Sequence, residues 1–339
     1  MHSTRVLITE PGRVDLRREV LPELSDDQLL VRTRTTLVSP GTERNCFLGE
    51  FEKPSHWSAW VRYPFAPGYS AVGEVLEVGP TVADRRPGDR VVLRRSHQSL
   101  TVVSEQSVYP VPDGIPDGTA AWFALSAIAQ HAVRRTGPLF GEPVAVAGLG
   151  PLGQLVLQYA AVAGAAELYA VARGGSRLAA ARRHGATAVV GGGVAAAVEP
   201  IAELTGGEGV GVAYDVTGAP EALAGLSTLT REGGTLVLVG DTAWPGRQTL
   251  GGSVLRRAQS LIGVHDSDIP RAPRARHVRG TFAENVDLFF RLVGQGRLKV
   301  DDLVTHTFPA ADAQSAYKLL AGPDSGAIGV LLDWRDTGL

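Results

Sequence analysis

Three glycines in this sequence stand at the spacing that lets a polypeptide backbone bind a pyrophosphate. Gly148, Gly150 and Gly153 follow the apolar run at 144–147 and lead into a stretch whose composition suits a helix. When a strand delivers such a turn to the start of a helix, backbone N–H groups and the positive end of the helix dipole face the anion. The pattern is short and recurs by chance, so the surrounding elements must decide its meaning.

The elements around this turn divide the chain into three parts. Residues 1–120 hold short strand-like runs separated by glycine and proline, whereas residues 121–267 alternate helical stretches with short apolar runs. This alternation predicts an α/β fold in which helices cover both faces of a doubly wound parallel sheet. Residues 268–339 add two helices and a last strand, and we expect them to rejoin the first domain. A hydride donor and its acceptor would meet in the cleft between the domains.

Composition excludes several classes of function. The 339 residues include 33 basic and 35 acidic side chains, a net charge of −2, which gives no general attraction to nucleic acid or anionic membranes. The chain begins without a signal-peptide pattern, and no apolar run reaches the ~18 residues of a membrane span. The single cysteine, Cys46, cannot form an intramolecular disulfide or a multi-cysteine metal site. We therefore expect a cytoplasmic protein with a small-molecule substrate and with no nucleic-acid or membrane partner.

The end of the strand after the glycine turn indicates which dinucleotide binds. NAD-binding proteins place an acidic residue there for the ribose hydroxyls, and its loss beside an arginine accommodates the 2′-phosphate of NADP. Here Ala172 takes that position, and Arg173, Ser176 and Arg177 follow. Guanidinium groups bind phosphate through paired hydrogen bonds, so the sequence favours NADP(H). The alternative is that both arginines are solvated residues at the start of a helix. The residues predicted to bind the cofactor are Gly148, Gly150, Pro151, Leu152, Gly153, Arg173, Ser176, Arg177, Thr217 and Gly240.

Several further motifs carry a resemblance to a known family over essentially the whole chain. They are PGT at 40–42, PGYSAVGEVLEVG at 67–79, PGDRV at 87–91, YDVTG at 214–218 and AIGVLLDW at 327–334. Together with the glycine turn they resemble the medium-chain dehydrogenase/reductase superfamily. The resemblance implies a GroES-like β-rich catalytic domain, a Rossmann domain, and a homodimer formed through the strand near 260–264. Residues 38–51 and 63–73 look most like the bacteriochlorophyllide a dehydrogenase-like, zinc-free alcohol dehydrogenase-like branch.

The resemblance also indicates that the catalytic zinc of many relatives is missing here. Zinc-dependent members place a cysteine before the Gly-Thr pair, a His-Glu pair after Pro-Gly, and a third ligand where a helix leads into the nucleotide domain. The matching residues are Pro40, the Tyr69-Ser70 pair and, less directly, Ala124. Pro40, Tyr69 and Ala124 offer no thiolate, imidazole or carboxylate, which are the groups that zinc favours. The four-cysteine structural zinc loop is also missing. The sequence therefore predicts a protein without a metal.

Without a metal, another group must stabilise or protonate the substrate oxygen during hydride transfer. By resemblance Thr42 is the hydroxyl that relays the proton, and the alternative is a threonine packed in a turn. Tyr69 could point its phenol into the vacated site or fill it as an aromatic plug. Glu43 is grouped with these catalytic residues, although we favour a structural role for it. His265 follows the last strand of the nucleotide domain and could shuttle protons or be structural. No partner could be assigned to His97.

Two further segments could contact a substrate. Residues 51–65 are rich in aromatic side chains, and Trp57, Trp60 and Tyr63 are predicted to line a pocket for a flat or apolar substrate. The alternative is a small hydrophobic core under a long loop. A basic run could bind an anionic substrate group, but we favour a solvated loop or an oligomer contact. Its arginines are Arg271, Arg274, Arg276 and Arg279.

Three functions remain open on the sequence. The first is a zinc-independent NADP(H)-dependent oxidoreductase that moves a hydride to or from a carbonyl or alcohol carbon of a secondary-metabolite or sugar-like compound. The second is an NADPH-dependent reductase of activated C=C bonds, whose chemistry needs no metal. The third is a non-catalytic NADPH-binding redox sensor. We favour the first, because the resemblance is to a branch that oxidises alcohols.

Overall fold

The computed structural model, which describes residues 1–272, 280–322, 325–335 and 338, contains a two-stranded antiparallel sheet, a seven-stranded mixed sheet and a six-stranded parallel sheet. The chain divides into two units. The first contains residues 1–50, 59–124 and 286–339, and the second contains 51–58 and 125–285. Of the predicted basic run, Arg271 is described, and Arg274, Arg276 and Arg279 lie outside the described residues.

The strands of the first unit pair antiparallel except for one parallel pair, residues 304–309 with 329–333. A two-stranded hairpin lies beside a seven-stranded sheet whose order is β14-β15-β3-β4-β5-β7, with β6 paired to β3. The strand β3 is central because it pairs with β4, β6 and β15. These strands are β1 (His2–Glu10), β2 (Arg13–Val20), β3 (Gln28–Val38), β4 (Ala71–Val78), β5 (Arg90–Leu93), β6 (Leu100–Ser104), β7 (Val108–Pro110), β14 (Val304–Pro309) and β15 (Gly329–Asp333).

The second unit is the predicted parallel sheet. Its strand order is β10-β9-β8-β11-β12-β13, and every neighbouring pair is parallel. In chain order this is 3-2-1-4-5-6, the arrangement of doubly wound dinucleotide-binding folds. The α/β prediction is therefore confirmed. The strands are β8 (Pro143–Ala147), β9 (Glu167–Val171), β10 (Ala188–Val190), β11 (Val210–Asp215), β12 (Thr230–Leu238) and β13 (Ser260–Gly263).

Eleven α-helices are seen in the described residues, and none of them is long and apolar enough to cross a membrane. Helix α1 ends where Gly49 takes a left-handed conformation, with φ at 67°, and donates its N–H to the carbonyl of Asn45. The helices are α1 (Pro40–Leu48), α2 (His56–Trp60), α3 (Asp117–Ala120), α4 (Phe123–Arg135), α5 (Pro151–Val162), α6 (Ser176–Arg183), α7 (Val194–Leu204), α8 (Ala222–Leu229), α9 (Ser253–Arg256), α10 (Phe282–Gly294) and α11 (Ala313–Ala321).

The units differ from the predicted domains at three places. Residues 121–124 belong to the first unit rather than the second. Residues 51–58 group with the second unit, because the indole N–H of Trp57 donates to the carbonyl of Thr242 at 2.8 Å. The chain rejoins the first unit at residue 286 rather than 268. The amide of Gln130 donates to the carbonyl of Asn285 at 2.7 Å, which holds that residue in the second unit.

A buried carboxylate joins several elements of the first unit. Glu43 is 2% exposed, and its side chain accepts a hydrogen bond from the backbone N–H of Ser39 at 2.8 Å. The hydroxyl of Tyr317 and the Nε2 of His97 contact the same carboxylate, the latter at 3.0 Å. Since buried charges require such partners, we assign Glu43 a structural role and withdraw it from the catalytic residues.

His97 extends this cluster, although no partner was predicted for it. Its Nδ1 lies 2.8 Å from the hydroxyl oxygen of Thr36, which also accepts from the indole N–H of Trp334 at 3.1 Å. A Cβ added at Gly68 would lie 2.7 Å from the imidazole, so this ring also requires a glycine beside it. The cluster therefore ties the central strand to α1, α11 and the residue that follows β15.

Replacing Tyr317 tests how much this cluster contributes to stability. Burial and then the charge of Glu43 raise the pKa of Tyr317 well above its ordinary value, so the phenol keeps its proton. We expect Tyr317→Phe to lower the free energy of unfolding by about 1–3 kcal/mol, because a buried carboxylate loses a donor. Urea denaturation measures this change.

Tyr63→Phe is the matched control for that variant. The hydroxyl of Tyr63 donates to the carbonyl of Cys46 at 2.7 Å in a partly buried position. Its loss should cost about 0.5–1.5 kcal/mol, the ordinary net value of one hydrogen bond. A smaller loss for Tyr317→Phe than for Tyr63→Phe would contradict the role given to Glu43.

Candidate functional site

The carboxyl ends of the parallel strands bring the predicted glycines together. Gly148 follows β8 with φ at +88°, and a Cβ there would lie 2.7 Å from backbone atoms of Val216 and Thr217. A Cβ on Gly153, in the first turn of α5, would overlap the carbonyl oxygen of Gly148. These two positions therefore accept only glycine, and α5 begins directly against the turn.

Gly150 differs from its neighbours because it faces open space. It precedes α5 as the N-cap residue, and no atom lies within 4 Å of a Cβ built on it. No side chain caps this twelve-residue helix, and Pro151 occupies its first turn together with Leu152 and Gly153. Uncapped backbone N–H groups beside open space fit a pyrophosphate.

A second turn closes against the first at the same edge of the sheet. Gly240 follows β12, and a Cβ there would lie 2.6 Å from the backbone nitrogen of Gly218. The N–H and hydroxyl of Thr217 both donate to one oxygen of Asp215, at 2.9 and 2.6 Å. Burial raises the pKa of Asp215, and these two hydrogen bonds oppose the rise. The hydroxyl of Thr217, predicted to contact the cofactor, is thus engaged within the turn.

The start of α6 gathers the residues predicted to select the cofactor. Arg173 and Ser176 are exposed, Arg177 is half-buried, and the first turn of α6 holds no acidic side chain. No side chain caps this helix, so its positive end adds to the two guanidinium charges. These groups fit a phosphate. Sequence reasoning missed Gln154, whose amide donates to the carbonyl of Arg177 at 2.8 Å and so links α5 to α6.

In the first unit, the predicted catalytic residues Thr42 and Tyr69 lie around Ser39. The phenol of Tyr69 donates to the hydroxyl of Ser39 at 2.8 Å, and the guanidinium of Arg94 lies 5.4 Å from the centre of its ring. Thr42 is in the first turn of α1, half-buried, and its hydroxyl has no hydrogen-bond partner within the described parts of the chain. Thr42 can therefore offer its hydroxyl to a ligand, whereas the hydroxyl of Tyr69 is engaged by Ser39.

His265, the remaining predicted catalytic residue, lies after the edge strand β13. Its side chain is 68% exposed, and its Nδ1 accepts a hydrogen bond from the backbone N–H of Ser267. The ring caps a short 3-10 helix at Asp266–Asp268. This contact is local, and the role of His265 in proton transfer stays a prediction.

The three aromatic residues predicted to line one pocket differ in their exposure. Trp57 belongs to the second unit and is 1% exposed, with its ring stacked on Phe51 at 6.4 Å between centroids. The prediction of Trp57 as a pocket residue is therefore wrong, since a fully packed ring has no face left for a ligand. The alternative of a small hydrophobic core describes it correctly.

Trp60 and Tyr63 belong to the first unit. Trp60 is 53% exposed and packs edge-to-face against Phe65 at 5.1 Å between ring centroids. The hydroxyl of Tyr63 is bound to the carbonyl of Cys46. Of the three aromatic residues, Trp60 therefore has the largest face available to a ligand.

A histidine–carboxylate pair that the sequence did not indicate lies in the second unit. The Nε2 of His56 is 2.7 Å from a carboxylate oxygen of Asp241. Asp241 comes directly after Gly240, at the edge that carries the glycine turn. The two residues are 185 positions apart, and no local pattern could have joined them.

The sequence matches two family models and a large set of dehydrogenases. Residues 25–127 match the alcohol dehydrogenase GroES-like domain, and residues 151–271 match the zinc-binding dehydrogenase model. The (R,R)-butanediol dehydrogenase of Bacillus subtilis is 30% identical over 71% of this chain and 73% of that protein. The chain belongs to the medium-chain dehydrogenase/reductase superfamily.

Other similar proteins cover nearly the whole chain. The 2-desacetyl-2-hydroxyethyl bacteriochlorophyllide A dehydrogenase of Cereibacter sphaeroides is 26% identical over 99% of this chain and 100% of that protein. A Sinorhizobium meliloti structure, described as a zinc-binding dehydrogenase bound to NADP, has a TM-score of 0.79 at 22% identity. It covers 98% of this chain and 99% of that one. The predicted resemblance to this superfamily is thereby confirmed, and the fold is shared along the chain.

By the resemblance, the zinc-ligand positions of the superfamily fall on Pro40, Tyr69 and Ala124. Pro40 is the first residue of α1, Tyr69 precedes β4, and Ala124 is buried in α4. Among the residues that the structure describes, no three histidine, cysteine, aspartate or glutamate side chains cluster as a metal site would require. The donor set at these positions does not fit a zinc ion.

Two glycine variants separate folding from cofactor binding. Gly153→Ala should lower the thermal unfolding midpoint, because the new methyl group overlaps the carbonyl of Gly148. Gly150→Ala should leave that midpoint unchanged, since no atom lies near its methyl group. The methyl group nevertheless enters the space before α5, so we expect NADPH affinity to fall at least about tenfold, or ~1.4 kcal/mol. Fluorescence titration with NADPH measures this affinity. Wild-type affinity in Gly150→Ala would contradict the assignment of residues 148–153 as the proposed pyrophosphate-binding turn, here called the cofactor cradle.

Proposed function

We propose that this protein is a zinc-independent, NADP(H)-dependent oxidoreductase. It would transfer a hydride to or from a carbonyl or alcohol carbon of a small secondary-metabolite or sugar-like compound. One observation carries the proposal. A complete glycine turn leads to an arginine-bearing start of α6 without an acidic side chain, in a chain whose zinc-ligand positions hold Pro40, Tyr69 and Ala124.

The residues that would hold the cofactor divide by the part they bind. The amides after Gly150 would bind the pyrophosphate, and Arg173, Ser176 and Arg177 would bind the 2′-phosphate. When bound, the nicotinamide supplies or accepts the hydride. The Sinorhizobium meliloti protein bound to NADP supports this choice of cofactor.

Hydroxyl groups of the first unit would replace zinc in stabilising the substrate oxygen. The phenol of Tyr69 can exchange its hydrogen bond with Ser39 for one to a carbonyl oxygen, and Thr42 offers a second hydroxyl. Donors placed where negative charge develops lower the barrier to hydride addition. The relatives named as alcohol-oxidising dehydrogenases support carbonyl chemistry rather than another reaction.

Reduction of an activated C=C bond is the second candidate function. The carbonyl group conjugated to the C=C bond delocalises the negative charge that hydride addition creates, so this reaction needs no metal. The side chains at the zinc positions favour this candidate for that reason. A panel of ketones, enones and quinones, assayed for NADPH consumption on chelator-treated protein, distinguishes the candidates. We expect turnover with ketones. Turnover with enones or quinones alone would support the C=C reductase, and tight NADPH binding without turnover would support a redox sensor.

We also propose a homodimer formed by pairing of β13 strands. This strand is the last in the order of the parallel sheet, and Ser260, Leu261 and Gly263 are exposed. An exposed strand edge is a template for pairing with a second chain. Sedimentation equilibrium would test this, and a monomer at micromolar concentration would contradict it.

Replacing Arg173 tests the choice of cofactor. Wild-type protein should bind NADPH far more tightly than NADH, because two arginines face the 2′-phosphate. Arg173→Ala should remove most of that difference by weakening NADPH binding and leaving NADH binding unchanged. The control is Arg182→Ala, an exposed arginine in the last turn of α6, which should leave both affinities as they are. Equal affinity of the wild type for the two cofactors would overturn the proposal.

A further inference from the structure

The paired side chains of His56 and Asp241 form an arrangement that none of the predicted roles uses. Their side chains are 55% and 44% exposed, and the Nε2 of His56 lies 2.7 Å from the carboxylate. Exposed ion pairs contribute little to stability, so stability alone gives no reason for this one. The pair's position at the carboxyl edge of the parallel sheet and the 2.7 Å between Nε2 and the carboxylate point to a role in catalysis.

Asp241 lies next to the backbone segments that form the proposed cofactor cradle. Asp241 follows Gly240, which is pressed against the backbone of Gly218. A Cβ on Gly218 would in turn lie 3.1 Å from the carbonyl oxygen of Asp241. Gly148, the first glycine of the cradle, packs against the adjacent Thr217. The carboxylate of Asp241 is therefore anchored within a few residues of the turn proposed to hold the dinucleotide.

The segment that carries His56 is fixed to the same edge by three hydrogen bonds. The N–H of Glu52 donates to the carbonyl of Ala243 at 2.9 Å, and its carboxylate accepts from the N–H of Gly246 at 2.7 Å. The indole of Trp57, the next residue after His56, donates to the carbonyl of Thr242 at 2.8 Å. His56 is thus held in place before any ligand arrives, as a group that acts in catalysis must be.

The two nitrogens of the imidazole ring differ in what they contact. Nε2 is engaged by Asp241, whereas Nδ1 has no hydrogen-bond partner within the part of the chain that the structure describes. A carboxylate on one nitrogen fixes the tautomer and the orientation of the ring. The other nitrogen is then available to give or take a proton.

We infer that His56 is the general acid/base of the reaction and that Asp241 positions it; this inference rests on the proposed oxidoreductase function. In the direction of reduction, a bound nicotinamide would supply the hydride to the substrate carbon and would itself be oxidised. The π electrons of the carbonyl form a new O–H bond with the proton that leaves Nδ1 of His56. The neutral imidazole regains a proton from solvent, and alcohol oxidation reverses each step.

Kinetics of three variants test the inference. With a substrate that the wild type turns over, His56→Ala should lower kcat about 100- to 10,000-fold, the contribution of general acid–base catalysis. Added imidazole should restore part of the rate, and the Kd for NADPH should stay within twofold of the wild type. Asp241→Asn should lower kcat while leaving the KM for substrate unchanged. His306→Ala, at a half-buried histidine of β14, is the control and should match the wild type.

Chemical labelling gives a readout that is independent of turnover. Diethyl pyrocarbonate should modify His56 in the free protein, and bound NADP⁺ with the alcohol product should slow that modification, as peptide mass spectrometry can measure. Labelling of His306 should not change. Unchanged labelling of His56 on addition of both ligands would contradict a place beside the substrate.

The outcomes separate this inference from the function on which it rests. Wild-type turnover together with a His56→Ala rate within threefold of it would overturn the inference and leave the oxidoreductase standing. A His56→Ala variant that loses NADPH binding and is not rescued by imidazole would assign the pair a structural role. Absence of turnover in the wild type over the whole panel would overturn both.

Discussion

The second unit depends on the close approach of backbone segments at the carboxyl edge of its parallel sheet. Gly148, Gly153 and Gly240 each lie where a Cβ would collide with main-chain atoms of a neighbouring segment. This contact brings the start of α5 directly against the end of β8. The uncapped helix end and the open space beside Gly150 follow from it, and they form the proposed cradle.

The first unit depends on a buried carboxylate, that of Glu43. Glu43 lies in the first turn of α1, and its carboxylate contacts Ser39 at the start of the same helix and His97 and Tyr317 from two other segments. It therefore organises the region that carries Thr42 and Tyr69. Removing a partner from such a group leaves a charge without compensation, which costs more than an exposed ion pair contributes. The cluster thus joins α1 to the central strand β3 and to α11.

Local patterns predicted the parallel sheet and the glycine turn, because a strand, a turn and a helix follow one another directly in the sequence. They failed where contacts join distant residues. His97 meets Thr36 and Glu43 across 61 and 54 positions, and His56 meets Asp241 across 185. Trp57 resembled a pocket residue because aromatic clusters in cores and in pockets have the same composition. The prediction of NADP(H) rests on adjacent residues and awaits a binding measurement.

The most direct test of the central claim follows the hydride itself. Protein shown by elemental analysis to lack zinc would be incubated with NADPH deuterated at C4 of the nicotinamide and with a ketone that it reduces. The account predicts an alcohol that carries one deuterium on the former carbonyl carbon, formed by the zinc-free protein. Product that forms only after zinc is restored, or that carries no deuterium at that carbon, would contradict it.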